Sequence, residues 1–242
     1  MSGHSKWANI KRKKEANDKV RGSIFSKLSR LITLAVLDGG GITEPEHNVK
    51  LRMVIEKAKA SNMPKDNIQR AIEKGTGPNK ALLKEVLYEA FAPGGVALMI
   101  LATTDNSNRT LPEIRSVLER GGAKLGVQGS VSHLFQKCGL VTFEKINTTQ
   151  NEVLSFSEKM GAIDIDEDQD NFYIYIPFEN LGKVKGGEMD FGPTSKVRID
   201  EESKARSLLL LIENLEALDD VQKVFGNFDM PEPLIHKISS SL

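Results

Sequence analysis

Apolar residues in the first third of the chain recur at three- and four-residue steps, whereas later ones gather in short runs between turn residues. In GSIFSKLSRLITLAVLDGGG, Ile24, Phe25, Leu28, Leu31, Ile32, Ala35 and Val36 keep the helical period, and Ser23, Lys27 and Arg30 fall on another face. Gly39 to Gly41 end this helix, because glycine accepts the left-handed backbone needed just past a C-terminus. A second helix is predicted from about His47 to Ala60, with Val49, Leu51, Val54, Ile55 and Ala58 inward. A third begins at Pro64, whose missing N–H costs nothing in a first turn, and presents Ile68, Ala71 and Ile72.

The period changes after Lys84. VLYEAFAPGGVALMILATTD reads as two strands around Ala92-Pro93-Gly94-Gly95. Val96 to Thr104 is apolar on both faces and should be a central strand. Thr110-Leu111-Pro112-Glu113 reads as a capping box opening a helix to about Arg120. Strands are then expected at 139–146, Ala162–Asp166, Asn171–Pro177 and Lys196–Ile199. Helices are expected at Glu152–Met160 and, weakly, at Phe178–Val184. That β-α-β-β-α-β order is the pattern of a ferredoxin-like unit. A leucine-rich helix from Glu201 to Leu218 and a strand from Val221 to Phe228 close the chain.

The strands before residue 105 find no fourth partner until Val221, so the ferredoxin-like unit reads as an insertion. The expected architecture is multidomain α and α+β. A basic arm and helical domain spans 1–80, a middle α+β domain spans 81–134 plus 201–242, and an inserted α+β domain spans 135–200.

Charge changes this picture. The formal net charge is zero, yet residues 1–80 carry 17 Lys and Arg against 8 Asp and Glu, and the rest carry 16 against 25. The first 30 residues hold nine cations and only two anions, Glu15 and Asp18. Such asymmetry points to a polyanionic partner: nucleic acid, ribosome or anionic membrane. Lys11 to Lys14 repel one another, and each phosphate they neutralise would release counterions. Trp7, the single tryptophan, has two readings, a face on which a base stacks or a plug packed on the helical domain. Lys27, Arg30, Lys57, Lys59 and Lys65 could extend the positive surface.

Motifs for chemistry are sparse. Gly121 and Gly126 are followed by Val127 where a Walker loop needs Lys, and no Gly-x-Ser-x-Gly elbow occurs. His4, His47, His133 and His236 lie far apart, and Cys138 lacks a base nearby in sequence. The acidic set Asp164, Asp166, Glu167, Asp168 and Asp170 departs from EF-hand spacing and reads as a solvated hairpin. TTDNSNRT (103–110) is the best candidate for an enzyme site, with Asp105, Asn106, Asn108 and Arg109 at the end of a central strand. The plainer reading is a turn and helix cap with Asp105 and Arg109 paired locally. No apolar run reaches the ~20 residues of a membrane span, and no apolar core follows the basic N-terminus as a secretory signal requires.

At GHSKWANIK, RGSIFSKLSR, NMPKDNIQRAI, GGVA, TDNSNRT and GSVSHLF the chain closely resembles the YebC/PmpR family, whose mitochondrial relatives include the translational activator of cytochrome oxidase. The resemblance implies an N-terminal helical bundle and two α+β domains, one inserted in the other. It implies a cytoplasmic, DNA-binding regulator of transcription or, in other members, a ribosome-associated factor easing translation through proline-rich stretches. Neither role implies catalysis, a cofactor or a small-molecule substrate. The carry-over falls on Lys6 to Arg12 and Arg21 to Arg30. The residues expected to contact nucleic acid are Lys6, Trp7, Lys11, Arg12, Lys13, Lys14, Lys19, Arg21, Lys27 and Arg30. One departure lies at KVKGGEMDFGPTSK (183–196): the family pattern implies a longer helix, which Gly182, Gly186 and Gly187 disfavour.

Overall fold

The computed structural model describes residues 7, 18–77, 82–184 and 186–239. Three helices come first: α1 (Asp18–Asp38), α2 (Val49–Ala60) and α3 (Lys65–Thr76). Leu28, Ile32, Ala35 and Val36 of α1 meet Leu51, Ile55 and Ala58 of α2 and Ile68, Ala71 and Ile72 of α3 in one apolar cluster. Asn48 caps α2 by accepting from the Leu51 N–H at 3.0 Å, and its amide donates to the Ala35 carbonyl at 2.8 Å, which ties the start of α2 to the end of α1. Gly39 is needed there, since a Cβ would sit 2.3 Å from the Asn48 amide nitrogen.

Strands β1 (Lys84–Ala92) and β2 (Val96–Thr104) form a hairpin whose turn places Gly94 and Gly95 at positive φ. The short β3 (Lys124–Leu125) flanks β1, and β9 (Val221–Gly226) flanks β2, all antiparallel. The first sheet thus has the order β3-β1-β2-β9. All nine residues of β2 are buried, as a run apolar on both faces requires. Its Val96, Leu98 and Ile100 share a core with α4 (Ser107–Arg120), α6 (Glu202–Glu216) and α7 (Glu232–Ser239), while Ala97, Met99 and Leu101 face the other way.

The second sheet joins β4 (Phe135–Glu144), β5 (Asp164–Glu167), β6 (Asn171–Pro177) and β7 (Glu188–Pro193) in the order β5-β6-β4-β7. It is antiparallel throughout, with α5 (Gln150–Met160) after its first strand, the ferredoxin-like arrangement. Thr149 and Glu152 form a capping box at the start of α5. The second helix of the pattern is reduced to a 3-10 turn, Phe178–Lys183. Met189, Phe191 and Phe135 of this sheet pack on Met99, Leu101 and Phe225 of the first, with Phe191 and Phe225 edge-on at 5.0 Å between centroids. The structure is thus a helical unit followed by two α+β units.

Several expectations need correction. The helix expected from Thr110 starts at Ser107 with Asn106 as its cap, and Thr110 is buried inside its first turn rather than capping it. The fourth strand of the second sheet is β7, in the segment that departs from the family pattern. The strand expected at Lys196–Ile199 is β8 (Val197–Arg198), which pairs in parallel with β10 (Phe228–Asp229) instead. Glycine explains the absent helix: Gly186 has φ 76°, and a Cβ on Gly187 would lie 2.7 Å from Leu181 Cδ1. Helix α7 adds an element that the pattern of the sequence does not predict.

Candidate nucleic-acid interface

Lys6, Lys11, Arg12, Lys13 and Lys14 lie outside the described residues. Lys19 and Arg21 sit in the first turn of α1. Lys27 and Arg30, further along the same helix, are engaged with the first sheet domain. The Lys27 ammonium donates to the Glu216 carbonyl at the end of α6. The Arg30 guanidinium donates to the Asp219 carbonyl at 2.9 Å and to the Asp220 carboxylate. Expected to face phosphate, this pair is directed inward because the turn between α6 and β9 presents acceptors to it.

Trp7 is 2% exposed and belongs to the core of the first sheet, with Ala90, Leu98, Leu209, Phe228 and Ile235. A side chain so enclosed offers no open face to a base. Of the two readings left by the sequence, this placement is that of a plug, set on the sheet domain rather than on the helical one. Its indole N–H has no acceptor among the described residues.

The 103–110 loop is absorbed by a polar cluster on Asp220. That carboxylate, 3% exposed, accepts from Thr110 Oγ1 at 2.6 Å, Arg109 Nη2 at 2.8 Å and Thr104 Oγ1 at 3.1 Å, and pairs with Arg30. Burial works to raise its pKa, but the bonds from Thr110, Arg109 and Thr104 and the charge of Arg30 outweigh it and hold the group below the usual carboxylate range. Arg109 also pairs with Asp105 at 3.0 Å, and Asn106 caps α4. The loop's polar groups therefore bind its own helix and strand, as the plainer reading had it. Sequence reasoning misses Asp220, because nothing in ALDDV distinguishes it from a surface turn acid.

It misses a second buried carboxylate as well. Glu89 on β1 accepts from the backbone N–H groups of Val131 at 2.6 Å, Gly129 at 2.7 Å and Ser132 at 2.9 Å. Burial would raise its pKa, and these three donors hold it below the ordinary value. Glu89 organises backbone and Asp220 organises side chains, both of them buried.

The remaining candidates resolve similarly. Cys138 is buried, its pKa pushed up to about 11 by burial and by Asp190, so its thiol stays protonated. In the acidic hairpin, Asp168 accepts from Tyr173 and from the Asp170 and Asn171 N–H groups, closing its own turn. Among the described residues no group of three or more His, Cys, Asp or Glu could hold a metal ion. Nor is any helix among them long and apolar enough to cross a membrane.

Outward on the helical unit lie cations interspersed with the exposed acids Glu44, Glu46, Asp66 and Glu73. Lys59 ends α2, and Lys65, Arg70 and Lys74 lie along α3. All four are exposed and pair with no carboxylate among the described residues. Arg70 instead donates to the Asp66 carbonyl at 3.2 Å and to Asn67.

Fold and site together define a multidomain α+β protein with a basic helical unit, whose buried polar clusters hold its own elements in place. Residues 5–78 match the TACO1/YebC protein N-terminal domain, and residues 83–228 match the TACO1/YebC second and third domain. The chain belongs to the TACO1/YebC family. It is 42% identical to a probable transcriptional regulatory protein of Desulfotalea psychrophila, with 99% of this chain and 100% of that one covered. It is 44% identical to one from Chloroflexus aggregans at the same coverage. The crystal structure of a conserved hypothetical protein from Aquifex aeolicus superposes with a TM-score of 0.79 at 41% identity, covering 88% of this chain and 92% of that one.

Proposed function

We propose that this chain is a non-enzymatic regulatory protein that binds DNA and controls transcription. The observation carrying this reading is the collection of cations on the helical unit: the basic run Lys11–Lys14 in sequence, and the exposed Lys59, Lys65, Arg70 and Lys74, which pair with no carboxylate among the described residues. Such cations favour a polyanion through counterion release. The relatives named probable transcriptional regulatory proteins, similar over their whole length, support the transcriptional role. The engagement of the 103–110 loop with Asp220 weighs against catalysis there.

One observation favours a second reading, a translation factor on ribosomal RNA. Arg52 and Lys57 of α2 are engaged with the second sheet domain, so α2 serves as a strut and is not free to enter a major groove. A basic unit docked in this way suits structured RNA, which is read by shape. Sedimenting a lysate with and without nuclease, and sequencing the co-purifying nucleic acid, decides between them. Recovery of discrete promoter fragments supports the DNA reading. Nuclease-resistant co-migration with ribosomes and enrichment of ribosomal RNA reverse the order.

A further inference from the structure

The two sheet domains and the helical unit are joined by different forces. Between the sheets an apolar contact, Phe135, Met189 and Phe191 against Met99, Leu101 and Phe225, is joined by ion pairs from Lys223 of β9 to Glu188 at 3.2 Å and Asp190 at 3.0 Å on β7. The apolar cluster of α1–α3 is confined to those helices, and the sheet clusters contain no residue from them. Val49 of α2 lies against Gly182, and beside that contact cations of the helices cross to the sheets. Lys27 and Arg30 of α1 reach the turn after α6. Lys50 of α2 lies 3.8 Å from Glu85. Arg52 donates to the Gly182 carbonyl at 3.0 Å, and Lys57 donates to Glu188 at 2.9 Å. In each of these five crossings the helical side supplies the positive charge. Except at Asp220, the carboxylates they meet are partly exposed, so salt and competing anions can reach them.

We infer that this boundary is an electrostatic clamp that a polyanion opens: phosphates compete with Glu85, Glu188, Asp220 and the carbonyl acceptors for the same cations, and the helical unit leaves the sheets as nucleic acid binds. The acidic sheet domains then act as an internal stand-in for the phosphate backbone. Affinity is lowered by the fraction of molecules held closed, so loosening the clamp strengthens binding and locking it weakens binding. The inference rests on the nucleic-acid reading above and adds regulation to it.

The test uses the full chain and a random-sequence 30-base-pair DNA duplex as probe. Lys57→Cys and Glu188→Cys are introduced together and joined by a short bis-maleimide, Cys138 being buried and its thiol protonated. The joined protein should bind the duplex about tenfold more weakly than the same double variant left unjoined. Glu85→Gln alone, a change at a partly exposed side chain that faces Lys50 of α2, should bind about threefold more tightly than the unaltered chain. Retained circular dichroism and melting temperature certify that all forms are folded. Equal affinity of joined and unjoined forms overturns the clamp while leaving nucleic-acid binding intact. Failure of every form to bind overturns both.

Discussion

Arg109 and Asp220 meet at 2.8 Å although 111 residues separate them, and the same carboxylate also holds Arg30 of the helical unit. One buried charge therefore connects the end of β2, the start of α4, the turn before β9 and helix α1. Removing this carboxylate leaves the partly exposed Arg109 and Arg30 to water but strands the buried Thr104 and Thr110 hydroxyls, at a cost of about 1–3 kcal/mol. Asp220→Asn should lower stability by that order in urea denaturation. A loss below about 0.5 kcal/mol would show the pair to be of no more consequence than an exposed one.

Glu89 and Asp220 both have folded-state pKa values below their ordinary ones. Their stabilisation is fully present above the unfolded carboxylate pKa and is lost as pH falls through the depressed folded values. Unfolding on acidification should thus set in below about pH 4. Glu89→Gln should be less stable at pH 7 and lose less on acidification than the unaltered chain. Parallel stability–pH curves for the two proteins would contradict this.

Trp7 reports on its own environment. Enclosed in the first-sheet core, it should emit at shorter wavelength in the native chain than in denaturant and resist quenching by iodide. Trp7→Ala should cost about 3–5 kcal/mol of stability, the usual penalty for emptying a large core site. Native emission matching that of the unfolded chain, with an unchanged melting temperature, would restore the base-stacking role.

The basic run sets a salt dependence. Replacing Lys11, Arg12, Lys13 and Lys14 by Gln should flatten the slope of log K against log salt for duplex DNA by about 3–4, near 0.9 for each phosphate no longer neutralised. An unchanged slope would assign phosphate binding to other cations, with Lys59, Lys65, Arg70 and Lys74 next in line.

The proposed insertion is tested at its own seam. The Thr194 N–H donates to the Leu134 carbonyl at 2.8 Å, so the chain enters and leaves the second sheet at one point. Excising 135–193 and bridging Leu134 to Thr194 with a short Gly/Ser linker should leave a protein that still unfolds cooperatively. It should be less stable, because Met99, Leu101 and Phe225 lose their cover. A product without a cooperative transition would place the boundary elsewhere.

Where structure depends on neighbours in sequence, it is legible. The period of Leu28, Ile32 and Val36, the glycines after α1 and the doubly apolar β2 lead directly to the observed elements. Thr110 misleads because its Thr-x-x-Glu pattern fits a capping box, whereas its hydroxyl is spent on Asp220, 110 residues away. Strand β7 is hidden among glycines, and β8 reads as part of the wrong sheet because its partner β10 comes only after α6 and β9. The inward direction of Lys27 and Arg30 is illegible for the same reason, since their acceptors belong to a turn 189 residues further on.

Strand β2 is paired on one edge by β1, made just before it, and on the other by β9, which begins only at Val221. A chain growing at about 5–20 residues per second needs roughly ten seconds to supply that second edge. The second sheet, whose strands all lie between Phe135 and Pro193, can close in the meantime. Order of manufacture thus differs from order of position: the innermost strand of the first sheet is satisfied last, and a truncated product ending before β9 carries a bare apolar edge that invites aggregation.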